Sequence, residues 1–301
     1  MKSQVFIEKV LLTEQKRSKC DEKIAWKPWV LGALTLFIFA SLSLYWLNEE
    51  ALSRDSYWQS QQALFIWFNQ LLQTILPASL WANLTKAGDA LVLLPLLAFI
   101  SIRQRKVWLS LMATVPFAGL TSVILKKLAS IPRPGGVLEP EGWTIIGSMI
   151  TGPSSFPSGH SLCAFAAFSA FLIAQHPKGK WLPFTLGLTI ALLIALSRVA
   201  VGAHWPLDII FGSALGCLAG LCGALLAQNC AWSSSASTKG RIISLSVLAM
   251  FAFSLGKEIS SASSTEWVTW LAFFASLWCF IHLLFEDLFS IKITVLRHHR
   301  L

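Results

Sequence analysis

Apolar residues run in blocks along this chain, near 29–47, 90–102, 107–125, 161–175, 182–197, 209–228, 242–256 and 267–285, with polar residues gathered between them. Blocks of this kind predict helices that cross a bilayer, each needing about 20 residues to span about 30 Å of hydrocarbon. Several blocks fall short and must extend into their flanks; 90–102 is the weakest by length. The first block, 29–47, is too long for the apolar region of a cleavable leader, and no small-residue cleavage site follows it. It therefore reads as an anchor that stays in the protein. The predicted fold class is all-α, a polytopic membrane bundle of about eight transmembrane helices.

The stretch 57–82 breaks this pattern. Leu64, Phe65, Trp67, Phe68, Leu71, Leu72, Ile75 and Leu76 are apolar, whereas Gln62, Asn69, Gln70 and Gln73 share one helical face. An amphipathic helix lying on the outer membrane interface is expected here, in preference to a ninth span.

Composition supports the membrane reading. The 301 residues are 55% hydrophobic and only 13% charged, too few charges to cover a soluble protein of this length. A net charge of +9 raises the question of nucleic acid. The Lys and Arg are spread through short stretches between apolar blocks, however, so no nucleic-acid partner is expected. With eight spans and both termini inside, seventeen of the 24 Lys and Arg fall on the inner side. The outer seven are Arg54, Lys86, Lys126, Lys127, Arg133, Arg198 and Lys257, four of them in or beside the motifs described below. The positive-inside rule then puts those motifs on the outer face and both termini in the cytoplasm. Three regions follow: a basic segment 1–28, a membrane domain 29–228, and two further spans with a basic C-terminus at 229–301.

Cys20, Cys163, Cys217, Cys222, Cys230 and Cys279 lie in or beside apolar runs or in the basic N-terminal segment. None has metal-ligand spacing with a histidine, so they read as small hydrophobes rather than disulfides or a zinc site. Gly212, Gly216, Gly220 and Gly223 line one side of the 209–228 helix, as close helix packing requires.

The candidate chemistry is a set of charged and polar residues at the edges of apolar blocks. They read Lys126-x6-Arg133-Pro134, then Pro157-Ser158-Gly159-His160, then Ser197-Arg198-x5-His204-x3-Asp208. Two short helices within 161–196, joined by Pro177-Lys178-Gly179-Lys180, would return Arg198 to the membrane face that carries His160. Ser158 can cap the helix that follows it, and Gly159 lets an anion approach the free N–H groups of that helix start. Lys126, Arg133 and Arg198 add positive charge, and arginine grips phosphate with paired hydrogen bonds. Asp208, four residues after His204, can hold one imidazole nitrogen and leave the other free to attack. His160 then suits a general acid and, later, a base that activates water. Together these residues suit phosphoryl transfer through a phosphohistidine on His204.

Other readings are weaker. A two-histidine haem site leaves Lys126, Arg133 and Arg198 unexplained. His176, His282, His298 and His299 read as structural, and Lys127 as an interface anchor. Glu139 and Glu141 would repel an anionic substrate and read as a solvated loop face or a head-group selector.

All three motifs resemble the type-2 phosphatidic acid phosphatase (PAP2) family, over Lys126 to Asp208, without a departure. The resemblance implies a six-helix core, to which the two spans after 241 are an addition. It implies His204 as nucleophile, His160 as acid and base, and Asp208 as the partner that orients His204. Lys126, Arg133, Arg198, Ser158 and Gly159 would bind phosphate, with no metal or other cofactor. The expectation is a lipid phosphatase of the bacterial cytoplasmic membrane, acting from the outer side, with the bilayer and a lipid phosphate as partners. Undecaprenyl diphosphate is the first substrate expected, then phosphatidate or phosphatidylglycerophosphate. A phosphotransferase using a lipid hydroxyl as acceptor, and a non-hydrolytic transporter with a phosphate pocket, remain the alternatives. The sequence does not specify the oligomeric state.

Overall fold

A computed structural model describes residues 54–175, 181–229, 238–261 and 266–298. The anchor expected at 29–47, the turn expected at 177–180 and the Ser-rich stretch at 233–237 lie outside the described residues. Among the described residues nine α-helices form: α1 (Arg54–Ile75), α2 (Ala78–Ala87), α3 (Ala90–Ser101), α4 (Arg105–Ala129), α5 (Gly159–Ala174), α6 (Trp181–Ala200), α7 (Pro206–Asn229), α8 (Thr238–Ser260) and α9 (Trp267–His298). No strand occurs among the described residues. The all-α bundle expected from the sequence is what forms.

The seven apolar blocks from 90 onward correspond to α3–α9. Among the described residues five helices are long and apolar enough to cross a membrane, or six if the bent pair α1–α2 counts as one span. The short apolar helices are α3, with 12 residues, and α5, with 16. At 1.5 Å per residue these run only about 18 and 24 Å, less than the hydrocarbon thickness.

The stretch 57–82, expected to be one helix, is two. Helices α1 and α2 meet at a break of 110°. Pro77 lies at the break: its ring disfavours helical backbone at Leu76, and it forms the start of α2, where a missing N–H is harmless. Part of the polar face of α1 points inward, at Asn69 and Gln73, while Gln70 is exposed. Asn69 is fully buried, and its side-chain nitrogen donates to the carbonyls of Thr144, Val199 and Ala200, while its oxygen accepts from Thr144 N–H at 2.7 Å. Gln73 donates to Ala200 O at 2.8 Å. The outward face is the apolar one, with Leu64, Trp67, Leu71 and Ile75 exposed. Phe65 and Leu72 are buried beside Asn69, so the inward face is mixed, and the helix-end carbonyls it meets accept from protein donors.

Helices α4, α5 and α7 form the centre. A Cβ on Gly212 would stand 2.6 Å from Ser158 O, and one on Gly216 would stand 2.4 Å from Leu162 O. The glycine stripe therefore lets α7 lie directly on the backbone of α5, as its spacing predicts. Further along, Gly223 meets Thr114 of α4 in the same way. Helices α8 and α9 are tied to this centre by polar contacts. Trp108 of α4 donates to Ser244 Oγ of α8 at 2.9 Å, and Asn83 of α2 accepts from Val268 N–H at the start of α9. Lys86 of α2 pairs with Glu258 of α8 at 2.5 Å.

Candidate active site

The His204 turn is built between two helices. Helix α6 ends at Ala200, and the Arg198 carbonyl accepts from the N–H groups of Ala203 and His204 at 2.9 and 3.2 Å. Gly202 makes this turn possible, with φ +82°, and a Cβ there would meet Trp143 at 2.4 Å. Helix α7 then begins at Pro206, with Asp208 in its first turn. Pro206 does not prevent the approach expected of the pair: His204 Nδ1 lies 3.3 Å from Asp208 Oδ2.

Asp208 Oδ2 is the hub. It accepts from Ser155 Oγ at 2.5 Å and from Trp205 N–H at 3.0 Å, and it faces His204 Nδ1. Ser155 Oγ also stands 3.4 Å from His204 Nδ1. Both His204 and Asp208 are almost fully buried. A carboxylate whose oxygen receives this set of donors holds a proton on Nδ1 and fixes the tautomer. His204 Nε2 is left facing Arg133 Nη1 at 3.4 Å. Burial first, then the charges of Arg198, Arg133 and Lys126, hold the His204 imidazole well below the usual histidine range. The ring is therefore neutral at neutral pH, with a lone pair on Nε2.

Arg133 faces this nitrogen, and Arg198 and Lys126 bring their charge to bear on the same ring. Arg133 follows α4 on the segment leading to a short 3₁₀ turn, Pro134–Gly136. It is held by bonds from Nη1 to Ala203 O at 3.0 Å and from Nη2 to Ser154 O at 3.3 Å. Arg198, in the last turn of α6, donates from Nη1 to Thr85 Oγ1 of α2. Both arginines are buried, and the Nε of each has no hydrogen-bond partner among the described residues. Buried guanidinium donors left without acceptors are costly in a finished site and suit one that receives an anion. Lys126 lies in the last turn of α4, and a Cβ on Gly159 would stand 3.6 Å from its Nζ.

Helix α5 points its start into the same space. Ser158 is its N-cap, accepting from Ser161 N–H at 3.4 Å and from Ser161 Oγ at 3.0 Å. The Ser158 side chain is fully buried and turned toward Ser161, so it serves the site through the helix start it caps. Gly159 and His160 line a cavity with Lys126. Gly88 sits between His160 and α6: a Cβ there would meet Ile194 Cγ2 at 2.6 Å and His160 at 3.0 Å. The hairpin α5–α6 thus brings His160 to the helix that carries Arg198, as its lengths predict.

All eight candidate residues gather at one end of the bundle. Ser155 and Thr85 join them without having been singled out, and Asn69, named only for its helix face, braces the end of α6. Ser155 sits in a loop with no periodicity to mark it. Thr85 and Gly88 fall in the segment from Leu80-Trp81 to Gly88-Asp89, whose only signal in the sequence is a weak resemblance to the lead-in common in bacterial members of the PAP2 family. The exposed Glu139 and Glu141 fit the solvated-face reading.

Residues 107–232 match the PAP2 superfamily. An undecaprenyl-diphosphatase of Sulfolobus acidocaldarius is 33% identical over 135 residues, which are 44% of this chain and 62% of that protein, less than two thirds of its length. Phosphatidylglycerophosphatase B of Bacillus subtilis is 26% identical over 200 residues, 62% of this chain and 89% of that one. A decaprenylphosphoryl-5-phosphoribose phosphatase of Mycobacterium tuberculosis is 33% identical over 132 residues, 43% of this chain and 67% of that one.

Proposed function

The chain belongs to the PAP2 superfamily, and from that premise we propose that it is a membrane lipid phosphatase working through a phosphohistidine on His204. The observation that carries the mechanism is the orientation of His204, with Nδ1 held by Asp208 and Nε2 turned toward Arg133. The substrate is a lipid phosphate monoester or diphosphate. Undecaprenyl diphosphate comes first, because relatives named for polyprenyl phosphates are among the matches. Phosphatidylglycerophosphate and phosphatidate follow.

The phosphoryl group enters between Arg133, Arg198 and Lys126, with its oxygens also facing the start of α5 at Gly159. Nε2 of His204 attacks phosphorus, forming an N–P bond as the P–O bond to the leaving group breaks. His160 gives its proton to the departing oxygen. Asp208 and Ser155 steady the imidazolium that forms. His160, now a base, takes a proton from water; the water oxygen attacks phosphorus, the N–P bond breaks, and inorganic phosphate leaves. Three fixed cations stabilise charge on the transferring group without having to reorganise. No step calls on a metal or another cofactor. The lysine and arginine asymmetry supports an outward-facing site in a bacterial cytoplasmic membrane, with both termini inside.

The test is phosphate release by detergent-solubilised protein, with EDTA present, from a panel of lipid phosphates. Rapid acid-free quenching with labelled substrate should trap a base-stable, acid-labile phosphoprotein in the wild type and none in His204→Ala. Release by His204→Ala at the wild-type rate would sink the mechanism. Binding without release from any lipid would favour the transporter alternative.

A further inference from the structure

Two apolar cavities adjoin each other beneath the phosphate site. The first, of about 340 Å³, has a polar mouth at Lys126, Gly159 and His160 and continues between α3, α4 and α5 past Leu94, Leu111 and Val115. The second, of about 440 Å³, lies between α3, α4, α7 and α8, against Met112, Ala227, Val247, Met250 and Phe251. Each falls within the roughly 300–1,000 Å³ typical of ligand sites. Ala90, Leu94 and Val115 border both, so the two spaces adjoin at these side chains. Val115 is 42% exposed, which leaves the joint open sideways toward lipid.

Length identifies the occupant. From Lys126 at the mouth to Leu109 in the far cavity, α4 advances seventeen residues, or about 25 Å at 1.5 Å per residue. Half of a hydrocarbon core of about 30 Å is only about 15 Å. On the same measure the near cavity alone reaches Leu111, fifteen residues or about 22 Å from Lys126, so a tail that ends near the bilayer midplane would leave the lower part of both cavities empty. The far wall is α8, from the C-terminal pair that lies outside the matched residues. The Trp108–Ser244 hydrogen bond fixes α8 against α4 at that depth.

We propose that the two cavities form one hydrocarbon-binding track, running from the phosphate site to α8, that takes a lipid phosphate on a single chain longer than one membrane leaflet, of the polyprenyl type. The head-group end of this inference rests on the phosphatase reading; the tail end rests on the cavities. It gives the added C-terminal helices a task, which is to select substrates by chain length.

The test uses the full chain in lipid nanodiscs with polyprenyl diphosphates of three and eleven isoprene units. Val247→Trp and Met250→Trp each fill the far cavity from α8, and Ala227→Phe fills it from α7. The ratio of kcat/KM for the long chain to that for the short chain should fall at least tenfold in each variant. A ratio within twofold of wild type in all three overturns the track. A second readout needs no turnover: a long-chain polyprenyl phosphate with a diazirine at its tail end should label the 243–251 segment of wild type, and labelling confined to other helices also overturns it. Failure of the phosphatase reading shows separately, as no phosphate released from either chain length by wild type.

Discussion

At the His204 end of the bundle a few polar atoms are held in place by dense hydrogen bonding. Between α3, α4, α7 and α8, by contrast, a space is shaped only by how much side chain is missing. The first region tolerates little change, because each buried donor or acceptor left without a partner costs about 1–3 kcal/mol. The second is bounded by interchangeable apolar surfaces, so its shape can drift while its chemistry stays the same. One protein can thus keep a fixed reaction and a variable substrate.

The sharpest way to break this contrast is at His204, the nucleophile of the proposed mechanism. His204→Ala should lower kcat by about 10⁴-fold or more, equally for short and long lipid chains, because removing a nucleophile removes the step itself. Steady-state phosphate release at saturating lipid checks it, and a loss confined to long chains would erase the distinction between the regions. Asp208→Asn should cost about 10³–10⁴-fold in kcat with KM little changed, since the amide no longer fixes the tautomer of His204. Comparing kcat and KM at two chain lengths is the measurement. Ser155→Ala removes one of the donors to Asp208 and should lower kcat by about tenfold, the worth of a single hydrogen bond. Ser155→Thr should restore part of that loss if the hydroxyl is what matters.

The smallest effect is a shift in a pH profile. Because burial and three cations hold His204 below its ordinary value of 6.5, its neutral form survives as pH falls. The acid limb of kcat/KM assigned to it should therefore lie below pH 6.5, the rate dropping only as pH passes down through the lowered pKa. A limb at or above 6.5 would mean that the cations do not act on the ring as the geometry implies. This limb should be the same for short and long chains.

Much of the reactive end could be read from the sequence because its residues are chemically conspicuous. A lysine, two arginines, two histidines and an aspartate at the edges of apolar blocks have few structural excuses. The hairpin lengths of α5 and α6 are enough to bring two of the motifs together. The glycine stripe on α7 was readable for the same reason, since its period matches a helix face. Asn69 was visible as polar, but periodicity says which residues share a face, not what the face meets. Only the fold reveals that it answers the carbonyls at the end of α6. Ser155 carries no spacing signal because it sits in a loop. The apolar track was unreadable in principle: a cavity is an absence of atoms between helices, and no residue type records it.

The contacts of α2 have a consequence for how this chain could be cut or recombined. On one side Thr85 receives Arg198; on the other, Lys86 and Asn83 hold Glu258 and the start of α9. A graft junction placed after α7, where the sequence suggests a seam, would therefore cut through a three-way joint. The transplantable piece is α8 and α9 together with the α2 surface they grip. A chimera that exchanges the pair alone should melt earlier in detergent than one that carries Asn83 and Lys86 with it.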